Sequence, residues 1–194
     1  MADGDRRPMD RPSPVAAGAK GLVSIRRTRL AAAGMLLTFL AGITGPEKAA
    51  RASALIATIG KSAPAFVLED LHGAPLSAKL LRGRPLYINV FATWCAPCRA
   101  ELPEIVRSYD RFKGRVTFLG VDEQEPAGKI VPFSRSMGIR YPIGIDQGQM
   151  EASYRAHSVP TSVFIDRRGI VRALYHGPIP APLLQRYLEL IAAP

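Results

Sequence analysis

The two cysteines of this 194-residue chain both lie in the pentapeptide 94–98, Trp-Cys-Ala-Pro-Cys. The apolar run 86–91 comes directly before the pentapeptide, and a stretch with helical spacing follows it. A buried strand that leads into a Cys-x-x-Cys at the start of a helix is the arrangement expected of a dithiol redox centre. The pattern therefore constrains both the local fold and the chemistry of the turn.

The spacing predicts a separate role for each cysteine. Cys95, at or just before the first helical position, would face free N–H groups and the positive end of the helix dipole, which favour its thiolate. We therefore expect Cys95 to be the nucleophile and Cys98, one turn later, to be the resolving thiol that releases the partner. Pro97 fits between them because first-turn amides have no intrahelical acceptor. Beyond this redox pair, no cofactor is expected.

Other uses of a Cys-x-x-Cys fit the chain less well. A closed zinc site needs two more ligands, but there is no third cysteine and His72, His157 and His176 are scattered along the sequence. Haem attachment requires a histidine after the second cysteine, where Arg99 stands. A purely structural disulfide is a further alternative, although a bridge closing so short a loop restrains the unfolded chain little.

The N-terminal part of the chain divides into three predicted segments. Residues 1–29 are polar and basic without apolar periodicity, which predicts disorder. Residues 30–45 form an uncharged apolar run preceded by arginines, which is typical of an export signal or a membrane anchor. A helix of that length spans about 24 Å, against a hydrocarbon core of about 30 Å, and both interpretations stay open. Residues 46–60 are predicted to be a linker.

These segments predict an extracytoplasmic location. The domain would be periplasmic, either tethered to the inner membrane through the N-terminal segment or secreted after signal cleavage. The net charge is +10 and divides evenly between residues 1–55 and residues 56–194, at +5 each. Because no basic block of the nucleic-acid-binding type occurs in the second part, no nucleic-acid partner is expected.

Residues 61–194 alternate strand and helix signals, which predicts one α/β domain. Helical spacing continues from the cysteines to Phe112, with a kink expected at Pro103. The remaining expected elements are a hairpin over 66–77, strands over 86–92, 116–121 and 141–145, helices over 129–137, 149–155 and 182–191, and a second hairpin over 162–175.

Residues 61–192 resemble a thioredoxin-superfamily domain of the TlpA/ResA type, an exported and often membrane-tethered kind of thiol-disulfide oxidoreductase. The resemblance rests on four stretches, at 63–66, 81–85, 91–99 and 159–161. It implies a thioredoxin-like fold in which helices flank a central mixed sheet with an added N-terminal hairpin. It also implies that Cys95 is exposed at the edge of the sheet and that Cys98 lies behind it.

The resemblance further implies which residues contact a substrate. A cis peptide bond between Val159 and Pro160 would expose the Val159 backbone to an extended partner segment. Ala96 and Pro97, between the cysteines, are expected to contact the same segment. Trp94 is expected to shield the disulfide and contact partners, with simple packing as the alternative.

Two nearby residues complete the predicted site. Glu101 lies one helical turn after Cys98, and the resemblance suggests that this acid transfers a proton when the mixed disulfide is released. A solvated glutamate paired with a basic neighbour is the alternative. Thr93 is expected to be a helix-entry residue only.

Ala96 and Pro97 offer no side-chain donor to hold a thiolate, which favours a reductant over a strong oxidant. We therefore expect a protein-disulfide reductase that acts on exported proteins and is recharged by a membrane thiol electron donor. Cytochrome c maturation and copper-site assembly are both compatible pathways.

Two further functions remain alternatives. A peroxiredoxin-like peroxidase shares the early Ala-Pro-Ala-Phe stretch, but it would have a threonine or serine three residues before the reactive cysteine, where Ala92 stands. A copper chaperone of the same fold would hold Cu(I) with the two thiolates and His157. Such chaperones, however, separate their cysteines by three residues rather than two.

Overall fold

The structure is a computed structural model, and it describes residues 57–78 and 83–194. The predicted segments 1–29 and 30–45, and most of the predicted linker 46–60, lie outside the described residues. Among the residues that are described, no helix combines the length and the hydrophobicity needed to span a bilayer.

Seven strands form a single mixed sheet within the described residues, in the order β2-β1-β5-β4-β3-β6-β7. The three consecutive strands β3, β4 and β5 pair in parallel, and every other pairing is antiparallel. The strands are β1 (Val67–Asp70), β2 (Pro75–Ser77), β3 (Leu86–Phe91), β4 (Thr117–Glu123), β5 (Ile143–Asp146), β6 (Thr161–Ile165) and β7 (Val171–His176).

Helices cover both faces of this sheet, as expected for the predicted α/β, thioredoxin-like fold. They are α1 (Ala96–Phe112), α2 (Ala127–Ser136), α3 (Gln149–Tyr154) and α4 (Ala181–Ala192). Side chains alternate along β3, so Tyr87 and Phe91 pack into the core that contains α1, α2 and α4. Ile88 and Val90 face the opposite core, which contains α3.

The β1–β2 pair extends one edge of the sheet. The turn between these strands is closed by the Asp70 carboxylate, which accepts hydrogen bonds from the backbone nitrogens of His72 and Ala74, each at 2.8 Å. β1 then pairs with β5, where Asp70 lies opposite Gly144. The hairpin is therefore part of the continuous sheet.

The topology brings three loops together at the carboxyl end of β3. The register places Val90 opposite Thr161 of β6, directly after the Val159–Pro160 bond. On its other side β3 ends beside β4, where Phe91 lies opposite Asp122. Because β3 is buried along its whole length, its end is a rigid platform for the turn that leads into α1, and α1 runs through Pro103 to Phe112.

Candidate active site

Cys95 is the N-cap residue of α1. Its backbone is extended, with φ −76° and ψ 107°, and its Sγ accepts a hydrogen bond from the backbone nitrogen of Cys98 at 3.1 Å. Pro97 occupies the first turn, where a missing N–H costs little. A disulfide joins Cys95 to Cys98. The sequence therefore places one sulfur at the positive end of the helix and the second one turn behind it.

The expectation that Cys95 is exposed is wrong for the disulfide form. Cys95 is only 3% exposed and Cys98 is 0% exposed, and both belong to the apolar core on the α1 side of the sheet. The sulfur of Cys95 turns inward because it is bonded to Cys98 and hydrogen-bonded to its N–H. The neighbouring Ala96 and Pro97 are exposed instead.

The Val159–Pro160 peptide bond is cis, as the resemblance implied. Two hydrogen bonds hold the surrounding chain, from the Gly177 nitrogen to the Pro160 oxygen at 2.8 Å and from the Thr161 hydroxyl to the Ser158 oxygen at 2.7 Å. Pro160 is buried, while Val159 is half-buried at the surface.

Trp94 points into solvent, with 67% of its surface exposed, so the packing alternative is wrong. Its indole is one wall of a surface groove of about 460 Å³. Glu123, Gln124, His157, Ser158 and Val159 form the rest of that groove. Trp94 and Val159 thus line one continuous surface beside the disulfide.

Glu101 is buried in α1, with 7% of its surface exposed, and is not the solvated helix glutamate of the alternative interpretation. One carboxylate oxygen accepts from Asn89 Nδ2 at 2.9 Å, and the other accepts from the Ile179 nitrogen at 2.8 Å. Burial raises the pKa of Glu101 to about 7, although both hydrogen bonds act in the opposite direction. A carboxyl with that pKa both holds and releases a proton near neutral pH.

Two acidic residues that the sequence analysis did not single out lie on the other side of the cysteine turn. Glu125 accepts hydrogen bonds from the Thr93 nitrogen at 2.6 Å and from the Thr93 hydroxyl at 2.9 Å. Thr93, which was expected to be a helix-entry residue only, therefore also anchors the turn to Glu125. Asp122 accepts from the Glu125 nitrogen at 2.9 Å, and burial together with the Glu125 charge raises the pKa of Asp122 to about 7.

The sequence contained a signal for these residues. Asp122 near the end of β4 and Glu125 just after it lie at the carboxyl end of an apolar strand that runs parallel to β3, and the carboxyl ends of neighbouring parallel strands meet at one edge of a sheet. Similarly, Asn89 is the polar residue within the apolar run 86–91, and a buried amide needs a hydrogen-bonding partner.

His157, the histidine weighed as a copper ligand, lies at the surface. Its Nδ1 is 3.4 Å from the Glu151 carboxylate, and both side chains are exposed. Within residues 57–78 and 83–194, no group of three or more His, Cys, Asp or Glu side chains is arranged to hold a metal ion.

These elements together define the class of protein. A Cys-x-x-Cys disulfide caps a helix that follows the central strand of a mixed sheet, a cis-proline lies across the neighbouring strand end, and a buried acid lies one turn further along the helix. This is the arrangement of a thioredoxin-type thiol-disulfide oxidoreductase.

Comparisons with known proteins agree with this class. Residues 59–174 match the AhpC/TSA family. Thiol-disulfide oxidoreductase ResA from Bacillus anthracis is 34% identical over 135 residues, which cover 69% of this chain and 78% of that protein. ResA from Geobacillus kaustophilus (strain HTA426) is also 34% identical over 135 residues, with the same coverage of 69% and 78%.

A solved structure shows the same fold. The thiol:disulfide interchange protein of the thioredoxin family from Chlorobium tepidum superimposes with a TM-score of 0.62 at 27% identity, covering 70% of this chain and 99% of that one. The chain therefore belongs to the AhpC/TSA family of the thioredoxin superfamily. Within this family it is a thiol-disulfide oxidoreductase similar to ResA.

Proposed function

We propose that this protein reduces disulfides in exported proteins by dithiol exchange through Cys95 and Cys98. The observation that carries the proposal is the N–H of Cys98 directed at the Cys95 sulfur, at the N-terminus of a 17-residue helix. This position favours a thiolate at Cys95. Ala96 and Pro97 contribute no further side-chain donor, which favours the reducing direction.

The reaction consists of two exchanges. In the reduced protein, the Cys95 thiolate attacks one sulfur of the substrate disulfide, forms a mixed disulfide and releases the other substrate sulfur as a thiolate. Cys98, after losing its proton, attacks Cys95 and releases the second substrate thiolate. Two electrons pass to the substrate, which takes up two protons, and the Cys95–Cys98 disulfide forms.

Glu101 is the proposed acid–base group for the second exchange. The carboxylate form accepts the proton of the buried Cys98 thiol, and the acid form returns a proton after the exchange. Its two hydrogen bonds, from Asn89 and Ile179, keep the carboxyl in one orientation. A pKa of about 7 lets both forms be populated at neutral pH.

The substrate would lie across the exposed surface around the disulfide. Trp94, Ala96 and Pro97 are exposed on this surface. Val159 lies in the same groove as Trp94, and its backbone next to cis-Pro160 would pair in a strand-like manner with an extended segment.

The proposed location is extracytoplasmic, and the basic, then apolar segment before residue 46 supports export or membrane tethering. A membrane dithiol carrier would return the Cys95–Cys98 disulfide to the reduced form. The substrates we consider are the cysteines of apocytochrome c and of copper-site proteins. These cysteines must be reduced before the first protein can bind haem and the second can bind copper.

Trapping tests this proposal directly. In the exported fraction, full-length Cys98→Ala should accumulate a mixed disulfide that non-reducing electrophoresis and mass spectrometry identify, because the attached substrate cannot be displaced. The double variant with Cys95→Ala and Cys98→Ala is the control and should trap nothing. If Cys98→Ala forms no adduct, and the reduced wild-type chain leaves insulin disulfides intact at neutral pH, the proposal is wrong.

A further inference from the structure

The groove beside the disulfide combines an aromatic face with a carboxylate. Trp94, the only tryptophan of the chain, is 67% exposed along one wall. Glu123, the last residue of β4, lies on the same groove. No described residue forms an ion pair with Glu123. An exposed indole attracts a cation to its face, and an adjacent carboxylate adds charge attraction.

The electrostatic surroundings of the groove are negative. Burial raises the pKa of Glu123, and the charges of Glu151 and Asp146 raise it further, which shows that the three acids lie within electrostatic range of each other. His157 also lines the groove, with its Nδ1 3.4 Å from the Glu151 carboxylate, and Arg155 lies on an adjoining surface that also contains Glu151. The acids around the groove therefore give it a negative charge, whereas the whole chain has a net charge of +10.

We propose that this groove binds a lysine or arginine side chain next to the target disulfide, so that cationic substrates are reduced faster than acidic ones. The inference rests on the proposed reductase function and specifies its substrate. Trp94 contacts the aliphatic stem and the charged end of the cation, Glu123 pairs with that charge, and the cis-proline segment at Val159 positions the substrate backbone. Because the pair is at the surface, the preference should weaken with salt.

Two synthetic peptides test the preference. Each contains one intramolecular disulfide, and they differ only in lysines or glutamates on either side of it. The full chain is reduced beforehand, mixed with each peptide, quenched with acid, and the peptide thiols are counted by mass spectrometry. Each rate is divided by that of the same peptide with dithiothreitol, since neighbouring charges also change the intrinsic reactivity of a disulfide.

We expect the normalised rate to be at least 3-fold higher for the lysine peptide in low salt and to approach equality at high salt, as for a surface charge pair. Glu123→Gln should abolish the preference. Glu189→Gln, which removes the same charge from an exposed position on α4, should leave it intact. A wild-type ratio of one or below, or a ratio that Glu123→Gln leaves unchanged, would overturn the inference.

A neutral substrate separates failure of the groove from failure of the reductase function. Bis(2-hydroxyethyl) disulfide carries no charge and is tested with the wild-type chain in parallel. If this compound is reduced but the peptides show no charge preference, the inference about the groove is wrong and the proposed function stands. If the wild-type chain reduces none of the three disulfides, the proposed function itself is wrong.

Discussion

Glu125 holds Thr93 through two hydrogen bonds, one from the backbone nitrogen at 2.6 Å and one from the hydroxyl at 2.9 Å. Thr93 lies two residues before Cys95, so this carboxylate ties the cysteine turn to the loop after β4. Glu125 is 8% exposed, and hydrogen bonds to a charged group are stronger where water is excluded. The contact therefore limits movement of the turn relative to the sheet.

Thr93→Val tests this anchor, because valine keeps the shape of threonine and removes only the hydroxyl donor. We expect a loss of about 1–2 kcal/mol in the free energy of unfolding, measured by urea denaturation. Thr117→Val, at a half-buried threonine at the start of β4, is the matched control and should change stability by less than about 0.5 kcal/mol. An equal effect of both substitutions would contradict the anchoring role.

Asp122→Asn should make stability less dependent on pH. The pKa of Asp122 is raised from 3.8 to about 7 in the folded protein, chiefly by burial. The folded state therefore binds this proton more tightly than the unfolded chain, and wild-type stability falls as the pH rises through this interval. Asparagine keeps the acceptor for the Glu125 nitrogen and has no charge to bury.

Urea unfolding of the wild type and Asp122→Asn at pH 5 and pH 8 checks this expectation. From pH 5 to pH 8, the free energy of unfolding of the variant should rise by about 1–3 kcal/mol relative to that of the wild type. The other titrating groups are common to both proteins and largely cancel in the comparison. A relative loss of stability by the variant at pH 8 would refute the argument.

Glu101→Gln should affect both stability and the second exchange step. Burial raises the pKa of Glu101 from 4.5 to about 7, so the wild type loses stability as the pH rises from about 4.5 through about 7. The variant avoids this loss of about 3 kcal/mol, but it exchanges one oxygen acceptor for an amide donor beside Ile179 or Asn89. That hydrogen-bond cost is the same at every pH, so between pH 5 and pH 8.5 the free energy of unfolding of the variant should rise by about 2–3 kcal/mol relative to that of the wild type.

Glu101→Gln should slow the second exchange, even though it makes the folded protein more stable at high pH relative to the wild type. Without a carboxyl to accept the Cys98 proton, the mixed disulfide should persist at least 10-fold longer at pH 7, as measured by acid-quenched mass spectrometry of a single turnover. The difference should shrink at high pH, where the Cys98 thiol ionises unaided. Resolution as fast as in the wild type at pH 7 would exclude the acid–base role.

Gly144→Ala should loosen the β1 edge of the sheet. A Cβ at Gly144 would lie 2.8 Å from Leu68 Cδ1 and 3.0 Å from Leu68 Cβ, so the buried Leu68 side chain must move and its Cβ must give by a few tenths of an ångström. Overpacking of this kind costs about 1–3 kcal/mol. The expected result is a lower free energy of unfolding in urea, together with faster amide hydrogen exchange in β1.

Gly128→Ala is the matched control for this prediction. Gly128 lies in α2, and a Cβ there would meet nothing within 4 Å. Because alanine favours the helix over glycine, this change should be neutral or stabilise the protein by up to about 1 kcal/mol. Destabilisation by both substitutions would show that steric crowding at Leu68 is not the cause.

The sequence by itself determined the local features of the site. An apolar run followed by a Cys-x-x-Cys with proline predicts a buried strand, a turn and a helix start, since strand burial and helix capping depend on neighbouring residues. The resemblance carried by the stretches around Trp94 and Pro160 added the fold and the cis bond. Both are present in the structure.

Only the tertiary structure decided the environment of these groups. The partners of Glu101 include Ile179, 78 residues away, and Thr93 pairs with Glu125, 32 residues away. The burial of Cys95, which the family resemblance implied to be exposed, likewise depends on how α1 packs against the sheet. Proton affinity and accessibility are set by water exclusion and by contacts between distant segments, and residue order encodes these only through the complete fold.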